Sequence, residues 1–279
     1  MPTQAEKAET FGALHGRDRA FIIPNPYDVG TARLLEWLGF EALATTSAGF
    51  AFSMGRRDGS VDRETMLEHA AALAAATELP VSADLENGYA DDPAGVAETV
   101  HLAARAGLAG CSIEDVGGRE GQAPYDLAHA ADRVRAAAEA AHRLPFRFTL
   151  TARAENFIVG RPDLRDTIAR LAAFEEAGAD VLYAPGLKSR EDILEVVRSV
   201  GRPVNVLMGL EGAHLTVAEL SGLGVKRISV GSALSRAALG AFLRAAREME
   251  ERGSFSFVED AAKGPYLDRV FARWAEPDR

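Results

Sequence analysis

Cysteine is nearly absent: the 279 residues contain only Cys111, so no disulfide can form within the chain. No apolar run approaches the roughly 18 residues that a membrane-spanning helix needs, and no N-terminal stretch has the basic start and apolar core of a secretory signal. Basic residues are outnumbered, with 31 Lys and Arg against 41 Asp and Glu. The sequence therefore predicts a soluble cytoplasmic protein that binds neither nucleic acid nor an anionic membrane, because both partners need a basic surface.

Short apolar stretches alternate with longer ones in which apolar residues recur every three or four positions. The first pattern is typical of strands and the second of amphipathic helices. The strand-like stretches are continuous apolar runs, as expected for a parallel sheet that is buried on both faces. They are residues 20–25, 40–47, 79–85, 109–115, 146–153, 180–185, 202–208 and 226–231.

Eight successive strand–helix units predict an α/β fold, a closed (β/α)8 barrel of the TIM type, with an open doubly wound sheet as the alternative. No Pro/Gly/Ser-rich linker divides the sequence, so residues 1–279 are expected to form one domain. Residues 232–279 add a long C-terminal helix and a tail with apolar side chains of its own. We expect this segment to pack against another surface, with a neighbouring subunit as the candidate.

Acidic residues gather where the predicted strands end, which is where (β/α)8 barrels carry their chemistry. Asp84 and Glu86 close strand 3, Glu114 closes strand 4, and Asp58 lies in the loop after strand 2. Asp84 and Glu86 would share one face if the strand extends through both. Converging carboxylates repel each other unless a cation lies between them, and oxygen ligands without His or Cys favour Mg²⁺ or Mn²⁺ over Zn²⁺.

Arg153, at the end of strand 5, is suited to a bidentate grip on a substrate carboxylate. The small residues Thr46, Ser47 and Ala48 are expected to leave backbone N–H groups free to bind an oxyanion. We take these residues as the candidate substrate-binding group, and Arg153 and Glu114 as the candidate catalytic residues.

Plainer structural roles compete with these assignments. Asp58 or Glu155 alone could solvate a loop or cap a helix, Asp115 is expected to be structural, and Cys111 is expected to be a buried small apolar residue. His214 follows strand 7 and could reach the barrel mouth. The other histidines singled out fall in helical stretches, where surface or packing roles are expected: His69, His101, His129 and His142.

Four motifs together resemble the isocitrate lyase/phosphoenolpyruvate mutase superfamily: "TTSAGFAFSMGRRDG", "SADLENGYADDP", "CSIED" and "TARAENFIVG". The resemblance runs from about residue 10 to residue 250. It implies a (β/α)8 barrel, a Mg²⁺ cofactor, and a homo-oligomer (dimer or tetramer) in which a terminal helix is exchanged between subunits. It also implies cleavage or formation of a C–C or P–C bond next to an α-oxo acid.

The same resemblance implies roles for individual residues. Asp84 would be the closest metal ligand, joined directly or through water by Glu86, Glu114 and Asp58. Arg153 would bind the carboxylate of the substrate. The oxo-acid end of the substrate would lie against the segment formed by Thr46, Ser47 and Ala48.

The sequence departs from the superfamily where the substrate is identified. The K-K-C-G-H loop of the lyases and the K-x-N-S loop of the mutase are replaced by "DVGGREGQAPYDL" at 115–127. Pro185 is followed by Gly186 rather than by the glutamate of the lyases. The pattern resembles a less characterised branch, and the candidate specificity residues are Tyr27, Asp28, Arg119, Glu120, Gln122, Tyr125, Glu155 and Asn205.

The leading hypothesis is a Mg²⁺-dependent lyase that cleaves a C–C bond of a small 2-oxo or 2-hydroxy carboxylic acid through a metal-stabilised enolate. Phosphonopyruvate hydrolase or mutase chemistry on a P–C bond is one alternative. A protein that binds 2-oxo acids without turnover is the other, since the acid–base cysteine is missing.

Overall fold

Eight short parallel strands form the inner wall of the protein in a computed structural model, which describes residues 1–117 and 123–275. Each strand lies within one of the eight predicted stretches. The strands are β1 (Phe21–Ile23), β2 (Leu43–Ala44), β3 (Val81–Asp84), β4 (Gly110–Glu114), β5 (Thr149–Arg153), β6 (Val181–Tyr183), β7 (Val204–Leu207) and β8 (Arg227–Ser229).

The sheet closes on itself. Its order is β1-β8-β7-β6-β5-β4-β3-β2, with every pair parallel. The two end strands meet where the N–H of Ala44 donates to the carbonyl of Pro24 at 3.1 Å. The predicted (β/α)8 barrel is therefore confirmed, and the open doubly wound sheet is wrong.

Helices surround the strands, and most begin at an Asp, Ser or Thr whose side chain accepts a backbone N–H of the first turn. Within residues 1–117 and 123–275, none of the helices has both the length and the apolar composition of a membrane span. The helices are α1 (Gln4–Leu14), α2 (Val29–Trp37), α3 (Ser47–Ser53), α4 (Arg63–Ala76), α5 (Pro93–Arg105), α6 (Leu127–His142), α7 (Leu164–Glu176), α8 (Arg190–Ser199), α9 (Val217–Gly222), α10 (Ala233–Arg252) and α11 (Gly264–Phe271).

The inside of the barrel is buried but polar, which the continuous apolar runs did not indicate. On β5, Leu150 and Ala152 pack in the main apolar core. Thr151 and Arg153, on the other face, bond to polar side chains of other strands. The large apolar core therefore lies outside the barrel wall, against the helices, and the interior is available for charged chemistry.

The C-terminal segment packs partly on its own chain. Val270 of α11 is fully buried, and Arg273, beyond α11, pairs with Glu36 of α2 at 3.2 Å. On α10, in contrast, Phe242 and Leu243 are 68% and 51% exposed. Packing against a neighbouring subunit stays a prediction.

The backbone packs so closely around Gly110 on β4 that there is no room for a side chain. A Cβ at this position would press on the carbonyl oxygen of Thr149 and lie 3.2 Å from Phe11. Gly110→Ala should therefore lower the free energy of unfolding by about 1–3 kcal/mol or more, measured by urea denaturation. Gly222→Ala is the matched control, because a Cβ there meets nothing within 4 Å. Equal stability of the two variants would contradict the close strand contact.

Candidate active site

Arg153 is the centre of a charged cluster at the C-terminal mouth of the barrel. Its Nη1 lies 2.8 Å from Asp84 Oδ1, its Nη2 3.2 Å from Glu114 Oε2, and its Nε 2.8 Å from Glu155 Oε1. The strand register explains the meeting, because β4 lies between β3 and β5 and Glu114 pairs directly with Arg153. Only 14% of the Arg153 side chain is exposed.

The sequence predicted that a divalent cation relieves the repulsion between these carboxylates and that Arg153, a second positive group, grips a substrate carboxylate. In the structure, Arg153 already compensates part of this repulsion. The hydrogen bonds to Asp84 and Glu155 use two of the five N–H groups of the guanidinium. Nη2 faces Glu114 as an ion pair, and N–H groups remain for another anion. Glu155, which the sequence left as a specificity candidate or a loop residue, is a buried member of this cluster.

A second chain of contacts joins the loop after β2 to Asp84. The backbone N–H of Ser47 donates to Asp84 Oδ2 at 3.1 Å, and its hydroxyl donates to Asp58 Oδ1 at 3.3 Å. The expectation that the N–H of Ser47 is free for an oxyanion is therefore wrong in this structure. Thr46 caps α3 by accepting the N–H of Gly49, and Ala48 lines the adjoining cavity.

Glu86 occupies an unusual position. The strand ends at Asp84, and Glu86 adopts φ +48°, so the condition on which the two side chains would share a strand face is not met. Gly88, at φ +79°, completes the turn, and its N–H donates to the carbonyl of Leu85 at 2.7 Å. The turn buries Glu86 and leaves its Oε1 without a hydrogen-bond partner. Burial, and then repulsion by Asp84 and Asp58, raises the pKa of Glu86 to about 8.

The carboxylates at the mouth fit a hard divalent cation. An orphaned carboxylate oxygen on Glu86 is the feature that a bound cation would satisfy, and an all-oxygen set matches Mg²⁺ or Mn²⁺. Burial also raises the pKa values of Asp58 and Glu114. Among the described residues, no group of three or more Asp, Glu, His or Cys side chains is arranged closely enough to hold a metal ion.

The raised pKa of Glu86 predicts a pH-dependent stability. Because the folded pKa of about 8 exceeds the ordinary 4.5, the folded state holds the proton more tightly than the unfolded state. This contribution is complete below pH 4.5 and is lost as the pH rises through 8. In EDTA, the fall in the unfolding free energy between pH 5 and 8.5 should be smaller for Glu86→Gln than for wild type. Parallel pH profiles would contradict the assignment.

Asp115, which follows β4, is buried and connects the ends of β4 and β5. It accepts the N–H of Glu155 at 2.9 Å and pairs with Arg170 at 3.0 Å. Its role in the structure is thus to fix the ends of β4 and β5, in line with the structural expectation. Arg170 also donates to the carbonyl of Tyr125 at 2.8 Å, which anchors the chain just after the loop.

The cluster adjoins a cavity of about 280 Å³ inside the barrel. Asp84 and Arg153 line it toward the mouth, together with Asp58, Ser47 and Ala48. Its other polar lining residues include Asn25, Ser112, Tyr183, Asn205, Arg227 and Ser229. Of these, sequence reasoning named only Asn205. Arg227 was missed, although a charged residue in the apolar run "KRISVG" was a visible signal.

The remaining candidates lie away from this cavity or outside the described residues. Asp28 caps α2 through the N–H of Thr31, and the hydroxyl of Tyr125 donates to Asp91 at 2.5 Å. His214 is exposed, and Cys111 is buried, which raises the pKa of its thiol. His69, His101, His129 and His142 lie on helices as predicted. Arg119, Glu120 and Gln122 lie outside the described residues.

The family model for phosphoenolpyruvate phosphomutase matches residues 11–250. This chain belongs to that family. The resemblance drawn from the four motifs is thus confirmed, and it covers the whole barrel and most of α10.

Three relatives of the family illustrate the similarity. A crystal structure of a Burkholderia cenocepacia J2315 protein, provisionally assigned as a lyase or mutase, is 60% identical with a TM-score of 0.94 and covers 96% of each chain. The structure of 2,3-dimethylmalate lyase is 30% identical with a TM-score of 0.84 and covers 97% of this chain and 95% of that one. An uncharacterised protein of Mycobacterium tuberculosis is 35% identical over 87% of this chain and 89% of its own.

Proposed function

We propose that this protein is a Mg²⁺-dependent lyase that cleaves a C–C bond of a small 2-oxo or 2-hydroxy carboxylic acid. The observation that carries the proposal is the mouth cluster, in which one arginine faces three carboxylates while a further buried carboxylate, Glu86, lacks a partner for Oε1. The similarity to 2,3-dimethylmalate lyase supports a C–C reaction.

The carboxylates at the mouth and Arg153 would have separate roles in the reaction. Asp84, Glu86, Glu114 and Asp58 would hold Mg²⁺, which when bound acts as a Lewis acid on the oxygens of the oxo-acid end. The N–H groups of Arg153 that no hydrogen bond uses would bind the substrate carboxylate and stabilise the charge that develops when the bond breaks.

Small residues and the adjoining cavity would complete the site. Thr46 and Ala48 lie beside the cavity and leave room for the oxo-acid end. Ser47 would fix the position of Asp84 and Asp58 through its N–H and hydroxyl. A cluster held in place before the substrate arrives needs little reorganisation during the reaction, which is the main source of electrostatic catalysis.

A substrate panel tests the proposal. Oxaloacetate, isocitrate, 2-methylisocitrate, 2,3-dimethylmalate and phosphonopyruvate would be incubated with the protein and Mg²⁺, with and without EDTA, and followed by ¹H and ³¹P NMR. EDTA-sensitive cleavage of one of the first four supports the C–C lyase. Phosphate released from phosphonopyruvate, or its isomerisation, would replace the proposal by P–C chemistry. Ligand-dependent thermal stabilisation without any product would favour a non-catalytic 2-oxo acid binding protein.

A further inference from the structure

Arg133, on α6, is the largest fully buried side chain among the described residues, with only 1% of its surface exposed. Its guanidinium donates to main-chain carbonyl oxygens. Nε lies 3.1 Å from the carbonyl oxygen of Asp91, and Nη1 lies 3.1 Å from that of Glu114. Nη2 donates to the carbonyls of Asn87 and Ala90, the latter at 2.9 Å. Four of the five N–H groups of the guanidinium thus hold main chain.

Three of these four carbonyls belong to the turn after β3 (residues 85–91), which has an unusual backbone. Gly88 and Tyr89 adopt φ +79° and +55°, and Glu86 adopts φ +48°. A left-handed conformation is unfavourable for a residue with a side chain, and it is rare for a bulky one such as Tyr89. Such a conformation persists only where its surroundings hold it. The two carbonyls bound by Nη2 of Arg133 flank Gly88 and Tyr89, so the guanidinium closes the turn.

Tyr125 joins the guanidinium to the same turn. Its ring lies 4.3 Å from Cζ of Arg133, which is the distance of a cation–π contact. Its hydroxyl accepts Nδ2 of Asn87 at 3.1 Å and donates to Asp91 at 2.5 Å. Both residues also bind Arg133 through their carbonyls, so the position of the guanidinium relative to the turn is fixed from two directions.

The turn sets the position of Glu86 relative to the end of β4. The N–H of Glu114 donates to the carbonyl of Glu86 at 2.9 Å. Both side chains line a cavity of about 740 Å³ at the mouth, together with Asp58 and Arg153. Arg133 binds main chain on both sides of this junction, because it contacts the turn and the carbonyl of Glu114. Since Arg133 is buried, it can act on the mouth only through this backbone.

We propose that Arg133 is a positioning residue for the mouth carboxylates: it holds the turn after β3 in the conformation that places Glu86 beside Glu114. Its expected effect on Mg²⁺ rests on the proposed function, in which these two carboxylates help to hold the ion. Residues that orient metal ligands typically change metal affinity by about 10–100-fold when they are replaced. Its effect on the turn itself does not depend on a metal.

Calorimetric Mg²⁺ titration tests the effect on the site. Arg133→Met should lower the affinity at least about 10-fold. Arg133→Lys should lower it less, but at least about 3-fold, because an ammonium keeps the charge without the fork that reaches all four carbonyls. Val196→Ala is the control: Val196 is fully buried on α8, and its truncation leaves a cavity in the core. Wild-type affinity in Arg133→Met, or an equal loss in Val196→Ala, would overturn the inference.

A double variant tests whether Arg133 acts through Glu86. Once Glu86→Gln is present, adding Arg133→Met should weaken Mg²⁺ binding by less than about 3-fold, because the carboxylate that Arg133 positions is already gone. The full loss of the single Arg133→Met variant, repeated in this background, would overturn the inference. A Glu86→Gln variant without measurable Mg²⁺ binding leaves the decision to hydrogen exchange.

Hydrogen exchange followed by NMR tests the turn in metal-free protein. The reporters are the N–H groups of Gly88, bonded within the turn, and of Glu114, bonded to it. The reference is the N–H of Met208, which bonds to β8 at 2.8 Å across the barrel. In Arg133→Met, exchange at the reporters should rise at least about 10-fold more than at Met208, because the turn opens locally. An equal rise at all three would show a general loss of stability and overturn the inference.

The outcomes distinguish this inference from the proposed function. Locally faster exchange in the turn, in a protein that binds no Mg²⁺, would keep the role of Arg133 in the turn and remove the metal-dependent lyase. Mg²⁺ binding and C–C cleavage, with wild-type Mg²⁺ affinity in Arg133→Met, would keep the lyase and remove the inference. If Arg133→Met does not fold, Arg133→Lys decides both measurements, and wild-type affinity and exchange in that variant would overturn the inference.

Discussion

Asp84→Asn is expected to abolish Mg²⁺ binding and to lower kcat/KM by at least about 10²–10³-fold, the loss seen when one well-placed electrostatic group is removed from an active site. Asp84 connects the Arg153 cluster to the loop after β2, because it contacts Arg153 and accepts the N–H of Ser47. An amide in its place keeps the shape of the side chain but removes the negative charge that a hard cation requires.

The measurement is a calorimetric Mg²⁺ titration together with the rate on any acid that the panel identifies. Asp62→Asn is the matched control, because Asp62 caps α4 at an exposed position and Asn caps a helix equally well. The control should keep wild-type affinity and rate. Wild-type Mg²⁺ affinity in Asp84→Asn would remove Asp84 from the ligand set.

Arg153→Met should be the most destabilising single substitution at the mouth. It leaves Asp84, Glu114 and Glu155 close together without their cation, and breaking a buried ion pair from one side costs about 3–5 kcal/mol. The free energy of unfolding in urea, measured in EDTA, should fall by that amount. Mg²⁺ should restore part of it, because a divalent cation compensates the same carboxylates.

Arg143→Met provides the matched control for this loss. Arg143 pairs with Glu139 on the outside of α6, and its side chain is 77% exposed, so the change should stay within about 0.5 kcal/mol. Arg153→Lys should fold better than Arg153→Met but bind substrate poorly, since a single ammonium cannot reproduce the fork. Similar stability of Arg153→Met and Arg143→Met would contradict the central place of Arg153.

The barrel and the meeting of Asp84, Glu114 and Arg153 at its mouth follow from the sequence for a common reason. In a parallel barrel all strands end on the same side, so a residue at the end of a strand is placed in space by its position in the sequence. Asp84, Glu114 and Arg153 each end a strand, and their meeting follows directly.

The positions of Glu86, Ser47 and Arg227 depend on local backbone geometry, which the spacing of apolar residues in the sequence does not predict. Glu86 lies in a left-handed turn, so its buried, unpartnered oxygen could not be derived from strand alternation. The N–H of Ser47 donates to Asp84, because α3 begins at Ser47 and its first N–H groups have no partner within the helix. Arg227 is embedded in an apolar run, and only the closed barrel shows that its side chain enters the same cavity as Arg153.

Deuterium exchange tests the central claim most directly, because it detects the enolate without a known substrate. Two samples in D₂O with protein and Mg²⁺ would be followed by ¹H NMR: pyruvate alone, at the carbon next to the oxo group, and propionate together with pyruvate, at the carbon next to the carboxylate of propionate. The first reports the enolate of a 2-oxo acid, and the second the enolate left by cleavage of a 2-hydroxy acid. The account predicts exchange well above that caused by Mg²⁺ alone, lost in EDTA and lost in Asp84→Asn. Exchange that is equal with and without the protein, or that survives in Asp84→Asn, would contradict it.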